Sequence, residues 1–242
     1  MSNGLDGRRV FVTGATSGIG KATAQALIDR GASVALAARS ADAVDALADR
    51  LGERTVRAPC DVTDPESVER AINRAVDGLG GLDAVVCSAG VFRPGGIEST
   101  SSDDWRAMFE VNVLGVLNTV SAALESLRAA DHSDVVILSS MSGRRRPTVA
   151  LGLYSASKFA VPGLSDSLHE ELAPLGVRVS IVSPRFVNTP IFDQLQDEEQ
   201  RDRYRTAAAA EGLDPAAVAD QILHQLRQPP GIDLFEIAML SP

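Results

Sequence analysis

Tyr154 and Lys158 stand four residues apart in the run Tyr-Ser-Ala-Ser-Lys. On a helix that spacing places both side chains on one face, with Cβ atoms roughly 5–6 Å apart. A phenol with a pKa of about 10 moves a proton poorly at neutral pH, and a nearby ammonium lowers that value by stabilising the phenolate. Such a pair suits chemistry in which an oxygen gains or loses a proton, as when hydride transfer to a carbonyl leaves an alkoxide. Ser140, at the end of an apolar run, can donate a hydrogen bond to the oxygen where negative charge develops. Singly, these residues carry little. An isolated Tyr-x-x-x-Lys is usually a surface pair, and Ser139-Ser140 could merely end a strand.

A second group could hold a phosphorylated cofactor. Thr13-Gly14-Ala15-Thr16-Ser17-Gly18-Ile19-Gly20 follows an apolar run and opens a helical pattern. A diphosphate needs backbone N–H groups aimed at it and a helix N-terminus behind it. Gly14 permits the tight turn, Gly18 the close approach of backbone to phosphate, and Gly20 the packing of helix on strand. Gly14, Thr16, Ser17, Gly18, Ile19 and Gly20 are therefore candidate cofactor-binding residues. Their glycine spacing, three residues and then one, differs from the one-then-two dinucleotide fingerprint. The next apolar run ends Ala37-Ala38-Arg39-Ser40. An acidic residue there would bind a ribose 2′-hydroxyl. Here Ala38 takes that place, and the guanidinium of Arg39 suits a 2′-phosphate, with Ser40 beside it. The expected cofactor is NADP(H) before NAD; the competing reading of Arg39 is a solvated loop charge.

Positioning these groups requires strands that end where the motifs begin. Apolar runs at Arg8–Thr13, Ser33–Ala38, Arg54–Cys60, Leu82–Cys87, Asp134–Ser139, Val177–Val182 and Asp233–Met239 read as strands. Between them lie helical patterns at Gly18–Arg30, Ala41–Leu51, Asp103–Ala129, Tyr154–Ala173 and Asp214–Gln228, and another begins at Asp64-Pro65. Asp64 suits an N-cap and Pro65 the first helical position. This alternation implies βαβ units and a parallel sheet covered on both faces. Thr189–Gly212 breaks the rhythm; it is polar, charged and alanine-rich, the composition of a substrate lid.

The chain has 242 residues, 45% hydrophobic and 23% charged, which fits one α/β domain over residues 1–242. A net charge of −9 argues against a nucleic-acid partner. Cys60 and Cys87 read as small core residues and fit a reducing compartment. No signal peptide or membrane-spanning run is expected, so the reading is cytoplasmic. His132, His169 and His224 are scattered, and no metal site is expected. Trp105 and Phe109 read as packing residues.

The Thr-Gly turn resembles that of the short-chain dehydrogenase/reductase family, and further matches follow in the family's order over essentially the whole chain. Asp61-Val62 follows the third strand, Cys87-Ser88-Ala89-Gly90 the fourth, Asn112 lies in the long helix, and Ser140 with Tyr154 and Lys158 completes the set. The resemblance implies a single Rossmann-type doubly wound domain with a mainly parallel seven-stranded sheet. It implies oxidoreduction of a small carbonyl/alcohol pair with Tyr154 as acid/base, Lys158 tuning it, Ser140 polarising the carbonyl and Asn112 supporting a water relay. Cofactor contacts are implied for Asp61, Val62, Ser88, Ala89, Gly90, Tyr154, Lys158, Pro184, Val187 and Thr189. A homo-oligomer, dimer or tetramer, built on the long helix and the Tyr154 helix is implied as well. The C-terminal Asp214-Pro215, Val218-Ala219-Asp220, Gln228-Pro229-Pro230 and Glu236-Ile237 resemble the subgroup acting on small hydroxy acids and clavulanate-type aldehydes.

The sequence departs from the family in three places. Cys87 and Ser88 replace two asparagines, Ser183-Pro184-Arg185 stands where Pro-Gly is common, and the segment from Ser140 to Tyr154 is one residue longer. Arg185 and the run Arg144-Arg145-Arg146 lie beside the expected site. Most charge runs are solvated, yet arginines there point to an anionic substrate such as a hydroxy or keto acid. Two other classes compete: a non-catalytic NADP(H)-binding sensor or scaffold, and a non-redox lyase or epimerase. The first usually loses Tyr or Lys, and a halohydrin-type lyase is expected to carry Arg at position 158.

Overall fold

The computed structural model describes residues 5–144 and 151–240. Seven strands form one sheet in the order β3-β2-β1-β4-β5-β6-β7, every pairing parallel. The strands are β1 (Arg9–Thr13), β2 (Ser33–Ala37), β3 (Thr55–Arg57), β4 (Ala84–Cys87), β5 (Ser133–Leu138), β6 (Val177–Pro184) and β7 (Glu236–Met239). The expected sheet is thus wholly parallel. Because side chains alternate faces along a strand, each strand feeds two cores. Phe11, Val85, Cys87, Val135 and Ile137 enter one. Val10, Val12, Val86, Val136 and Leu138 enter the other.

The first core is covered by α3 (Pro65–Leu79), α5 (Gly115–Arg128) and α6 (Gly152–Leu172), the second by α1 (Gly18–Ile28), α2 (Ala41–Leu51) and α8 (Pro215–Leu226). The predicted caps form: Asp64 and Asp214 accept from the backbone N–H groups of Glu66 and Ala216, and proline opens both helices. The strands β3 and β7 are shorter than the apolar runs. Pro59 has no N–H to give, although Ala58 and Cys60 on either side still donate to Leu36 and Ala38.

The long helical pattern is one helix broken in the middle: α4 (Ser102–Phe109), a π-turn at Glu110–Leu114, then α5. Together these 27 residues are long and apolar enough to span a membrane, with mean hydropathy 1.4 over 18 residues. That corrects the expectation that no run reaches such length. Asn112, Asn118 and Glu125 interrupt the run to the eye but not on average. In the fold, Val116, Val120, Ala123 and Leu127 spend one face of this helix on the core.

The segment 189–212 contains a 3₁₀ turn at Pro190–Gln194 and α7 (Glu198–Glu211), capped by Asp197, which accepts from Gln200. Of the residues in α7, only Ala208 is fully buried. A parallel bridge from Val187 to Leu213 closes the excursion.

Candidate active site

The carboxyl ends of β1, β2, β4 and β5 open on a cleft of about 340 Å³, where strand order turns back between β1 and β4. Doubly wound sheets take ligands at this point. The turn after β1 lines it through Gly14, Thr16, Ser17, Gly18 and Ile19. The end of β2 adds Arg39 and Ser40, the segment after β3 adds Asp61 and Val62, and the segment after β4 adds Ser88, Ala89 and Gly90. Lys158 and Thr189 complete the far end.

The turn fits a diphosphate. Gly14 has φ +64° and Gly18 +50°, conformations that side chains resist. A Cβ on Gly14 would lie 3.0 Å from Ala89, and one on Gly20 only 2.3 Å from the carbonyl oxygen of Gly14. Ser17 precedes α1 in an extended conformation without capping the helix by its side chain, and no acidic residue occupies the first turn. The helix N-terminus therefore keeps its positive end for an anion. Thr13 Oγ1 accepts from the N–H groups of Ser88 and Ala89, both at 3.0 Å, and so locks the two loops that flank the cleft.

Arg39 is exposed at the rim, and none of the ion pairs among the described residues includes it. Ser40 caps α2 by accepting from Ala43. Asp61 Oδ1 accepts from both the N–H and the hydroxyl of Thr63, which fixes the carboxylate at the cleft edge. Cys60 and Cys87 are buried, and burial pushes their thiols up to about 11 and about 12. Both are neutral packing groups at ordinary pH.

Beside this cleft lies a second cavity of about 150 Å³, lined by Ser140, Tyr154, Pro184, Val187 and an aromatic wall. The two share Ile19, Ser139, Thr189 and Ile191. The 3₁₀ turn Met141–Gly143 that follows Ser140 packs directly on α6. A Cβ on Gly143 would meet the Lys158 carbonyl oxygen at 2.3 Å. That carbonyl has no helical donor because the residue four further on is Pro162. The hydroxyl of Ser139 approaches it at 3.5 Å instead. Proline and glycine together thus set Ser140 against Tyr154.

Burial raises the Tyr154 phenol to about 12, against a hydrogen bond with Ser140 that pulls it down. Burial lowers the Lys158 ammonium to about 8, and its Nζ donates to the carbonyl of Leu138 at 3.0 Å. Lys158 is not among the groups that shift the phenol here: desolvation is the larger cause and the Ser140 hydroxyl the smaller. The amine is turned to the end of β5, and desolvation governs the phenol.

Asn112 lies beneath the site, fully buried in the π-turn. Its Oδ1 accepts from Val91 N–H at 2.9 Å, while Nδ2 donates to Val91 O and to Ser157 Oγ, each at 3.1 Å.

Sequence reasoning missed the aromatic wall. Phe92 meets Tyr154 edge-on with ring centroids 4.8 Å apart, and it meets Phe192 and Tyr204 edge-on as well. Tyr204 on α7 stacks on Phe192 at 5.6 Å. A lone aromatic in the charged stretch 196–205 was the available signal. Arg144 pairs with Glu236 of β7, its Nε donating to Oε1 at 2.7 Å, and Ser183 donates to the same oxygen. Arg145 and Arg146 lie outside the described residues, as does part of the longer segment between Ser140 and Tyr154.

The chain belongs to the short-chain dehydrogenase family, whose pattern matches residues 8–200 under the description short chain dehydrogenase. The glycine betaine reductase ATRR of Emericella nidulans is 38% identical over 236 residues, 96% of this chain, although the chain spans only 18% of that protein's length. An uncharacterized oxidoreductase of Staphylococcus aureus (strain MW2) is 35% identical, with 97% of each chain covered. Among solved structures, a short chain dehydrogenase from Burkholderia cenocepacia J2315 in complex with NADP is 31% identical, with TM-score 0.84 and 97% of both chains covered. A short chain dehydrogenase/reductase from Burkholderia phymatum in complex with NAD is 26% identical, with TM-score 0.85, covering 97% of this chain and 89% of that one. The protein is an oxidoreductase of this family.

Proposed function

We propose that the protein interconverts a small carbonyl compound and its alcohol with NADP(H), using Tyr154 as the proton donor and acceptor. One observation carries this reading: the Tyr154 phenol and the Ser140 hydroxyl face a cavity that joins the dinucleotide-type cleft at Ser139 and Thr189. The turn Gly14–Gly20, Asp61, Val62 and Ser88–Gly90 would hold the dinucleotide, with Pro184, Val187 and Thr189 at its nicotinamide end. When bound, that cofactor supplies or accepts two electrons at the substrate carbon as a hydride.

The chain's own residues handle the oxygen. Ser140 donates a hydrogen bond to it as negative charge develops. Tyr154, protonated at neutral pH, gives its proton to the forming alkoxide. Lys158 holds positive charge beneath them, and Asn112 supports the relay by fixing the loop at Val91. The guanidinium of Arg39, in no ion pair among the described residues and in a cleft without a carboxylate at the end of β2, supports NADP(H) over NAD. The segment 189–212 serves as the lid, sealed by Tyr204.

Two buried thiols fit a reducing, cytoplasmic setting. The apolar exposure of Phe109, Leu114, Leu117 and Phe159 on α4, the π-turn, α5 and α6 supports assembly of two or four copies. The narrower likeness to enzymes of small hydroxy acids and clavulanate-type aldehydes belongs to the same proposal.

The test is nicotinamide absorbance with a mixed panel of aldehydes, ketones and oxo acids. Wild type should turn over at least one, and Tyr154→Phe should lose 10²- to 10⁴-fold, as expected for a positioned acid. Turnover undiminished in Tyr154→Phe would overturn the reading.

A further inference from the structure

The charge and lining of the second cavity narrow the substrate class, an inference that rests on the proposed carbonyl/alcohol reading. Among its described lining residues Arg185 alone carries a charge at neutral pH; the others are apolar, aromatic or hydroxyl-bearing. Of the arginines on surrounding elements, Arg203 of α7 lies over the Tyr204 ring, 5.3 Å from its centroid, and is not among the cavity's lining residues, while four others have local carboxylates. Arg144 pairs with Glu236, Arg93 with Asp104, Arg201 with Glu198 and Arg205 with Asp193. Arg185 appears in none of the ion pairs among the described residues.

Its backbone is fixed: Pro184 precedes it at the end of β6, and its N–H donates to Met239 O at 2.9 Å. The guanidinium therefore works from a rigid base, in a molecule whose net charge of −9 would otherwise repel an anion. The same cavity is lined by Phe92, Phe186, Phe192 and Tyr204.

We propose that Arg185 anchors the carboxylate of the substrate, and that the enzyme's substrates are small oxo or hydroxy acids whose apolar body packs on this aromatic wall. A single planar guanidinium matches a carboxylate in a two-pronged contact. A dianionic phosphate would call for more cations than the described lining offers. Glu236, which accepts from Ser183 two residues before Arg185, is already engaged by Arg144.

Two matched pairs test the idea: benzoylformate against its methyl ester, and acetoacetate against its methyl ester. Affinities are measured by calorimetry on NADP-loaded Tyr154→Phe, so binding is read without turnover. At least one acid should bind about tenfold or more tightly than its ester. Adding Arg185→Gln should bring that ratio close to one, and Arg185→Lys should restore part of it. Raised salt should weaken the acid and spare the ester. The proposal is overturned if neither acid binds, if both esters bind as well as their acids, or if Arg185→Gln weakens acid and ester alike. Selective acid binding without any turnover by wild type would sink the redox reading and leave the anion anchor standing. Turnover without acid preference would do the reverse.

Discussion

Tyr154 and Lys158 acquire their shifted values from burial, and in opposite directions. A phenol at about 12 stays protonated at neutral pH, so the donor form is fully populated and the acceptor form is scarce. Carbonyl reduction should therefore stay level through neutral pH, while alcohol oxidation climbs with rising pH. Lys158 adds a descending limb to reduction near pH 8, where its ammonium is lost. Lys158→Arg should remove that limb, since a guanidinium stays charged; a limb left in place would exclude Lys158 as its source. The stability consequence has a definite sign. The unfolded chain holds this proton up to the ordinary lysine value, the folded chain only to about 8. Between those values the unfolded state binds more protons at this residue, so the contribution of Lys158 to stability rises with pH through that window. The thiols of Cys60 and Cys87, held up by burial, act with the opposite sign over the same window, so the Lys158 contribution is read as a difference: from pH ~8 to ~9.5 the urea midpoint of wild type should rise relative to that of Lys158→Met. Arg39 makes a separate residue-level prediction. Its removal by Arg39→Ala should weaken NADPH at least tenfold more than NADH in equilibrium titrations, an interaction of about 1.4 kcal/mol or more. Equal losses would remove the case for NADP(H).

The elements differ in how plainly the sequence announces them. The strands were legible because buried parallel strands are short, apolar and bounded by turn residues. Their ends were less so, as Pro59 shows at β3. The helix α7 stayed hidden because it buries little beyond Ala208 and so carries no apolar stripe. The aromatic wall was illegible for a different reason. Phe92, Phe186, Phe192 and Tyr204 come from separate segments, and the pairing of Arg144 with Glu236 joins residues 92 apart. The π-turn sits between these cases: Asn112 was identified by resemblance, but its partners were not. The structure shows its amide clamping both polar groups of Val91, next to Phe92 and hence to the wall against Tyr154. Asn112→Ala would strand those buried groups at roughly 1–3 kcal/mol each. It should lower the urea midpoint and reduce kcat, and Asn112→Asp, which turns a carboxylate oxygen on the buried oxygens of Val91 and Ser157, should lose at least as much. An unchanged midpoint in the alanine variant would show that the clamp contributes nothing.

At the scale of the whole molecule, the chemistry sits at the carboxyl edge of the sheet and a buried charge cluster at the opposite edge. Asp134, near the start of β5, accepts from Arg8 just before β1 at 2.6 Å and from Arg178 of β6 at 2.7 Å. Its side chain is only 3% exposed. Arg178 goes on to donate to the carbonyls of Gln225, Gln228 and Ile232, tying the end of α8 and the approach to β7 into the same knot. Two cations on one carboxylate are tolerable because those carbonyl oxygens take up the surplus charge. Replacing a buried ion cluster with apolar groups can be neutral, but removing a single partner leaves uncompensated charge and costs about 3–5 kcal/mol. Asp134→Ala strands two arginines at once and belongs at the upper end of that range. The expected result is a large fall in urea midpoint, with the kcat of the protein that remains folded unaltered, since the knot lies across the sheet from Tyr154. A fall in kcat without loss of stability would mean that this edge communicates with the cleft. An unchanged midpoint would mean that Arg8 and Arg178 find other partners, and that the parallel strands β1, β5 and β6 keep their register through hydrogen bonds and packing alone.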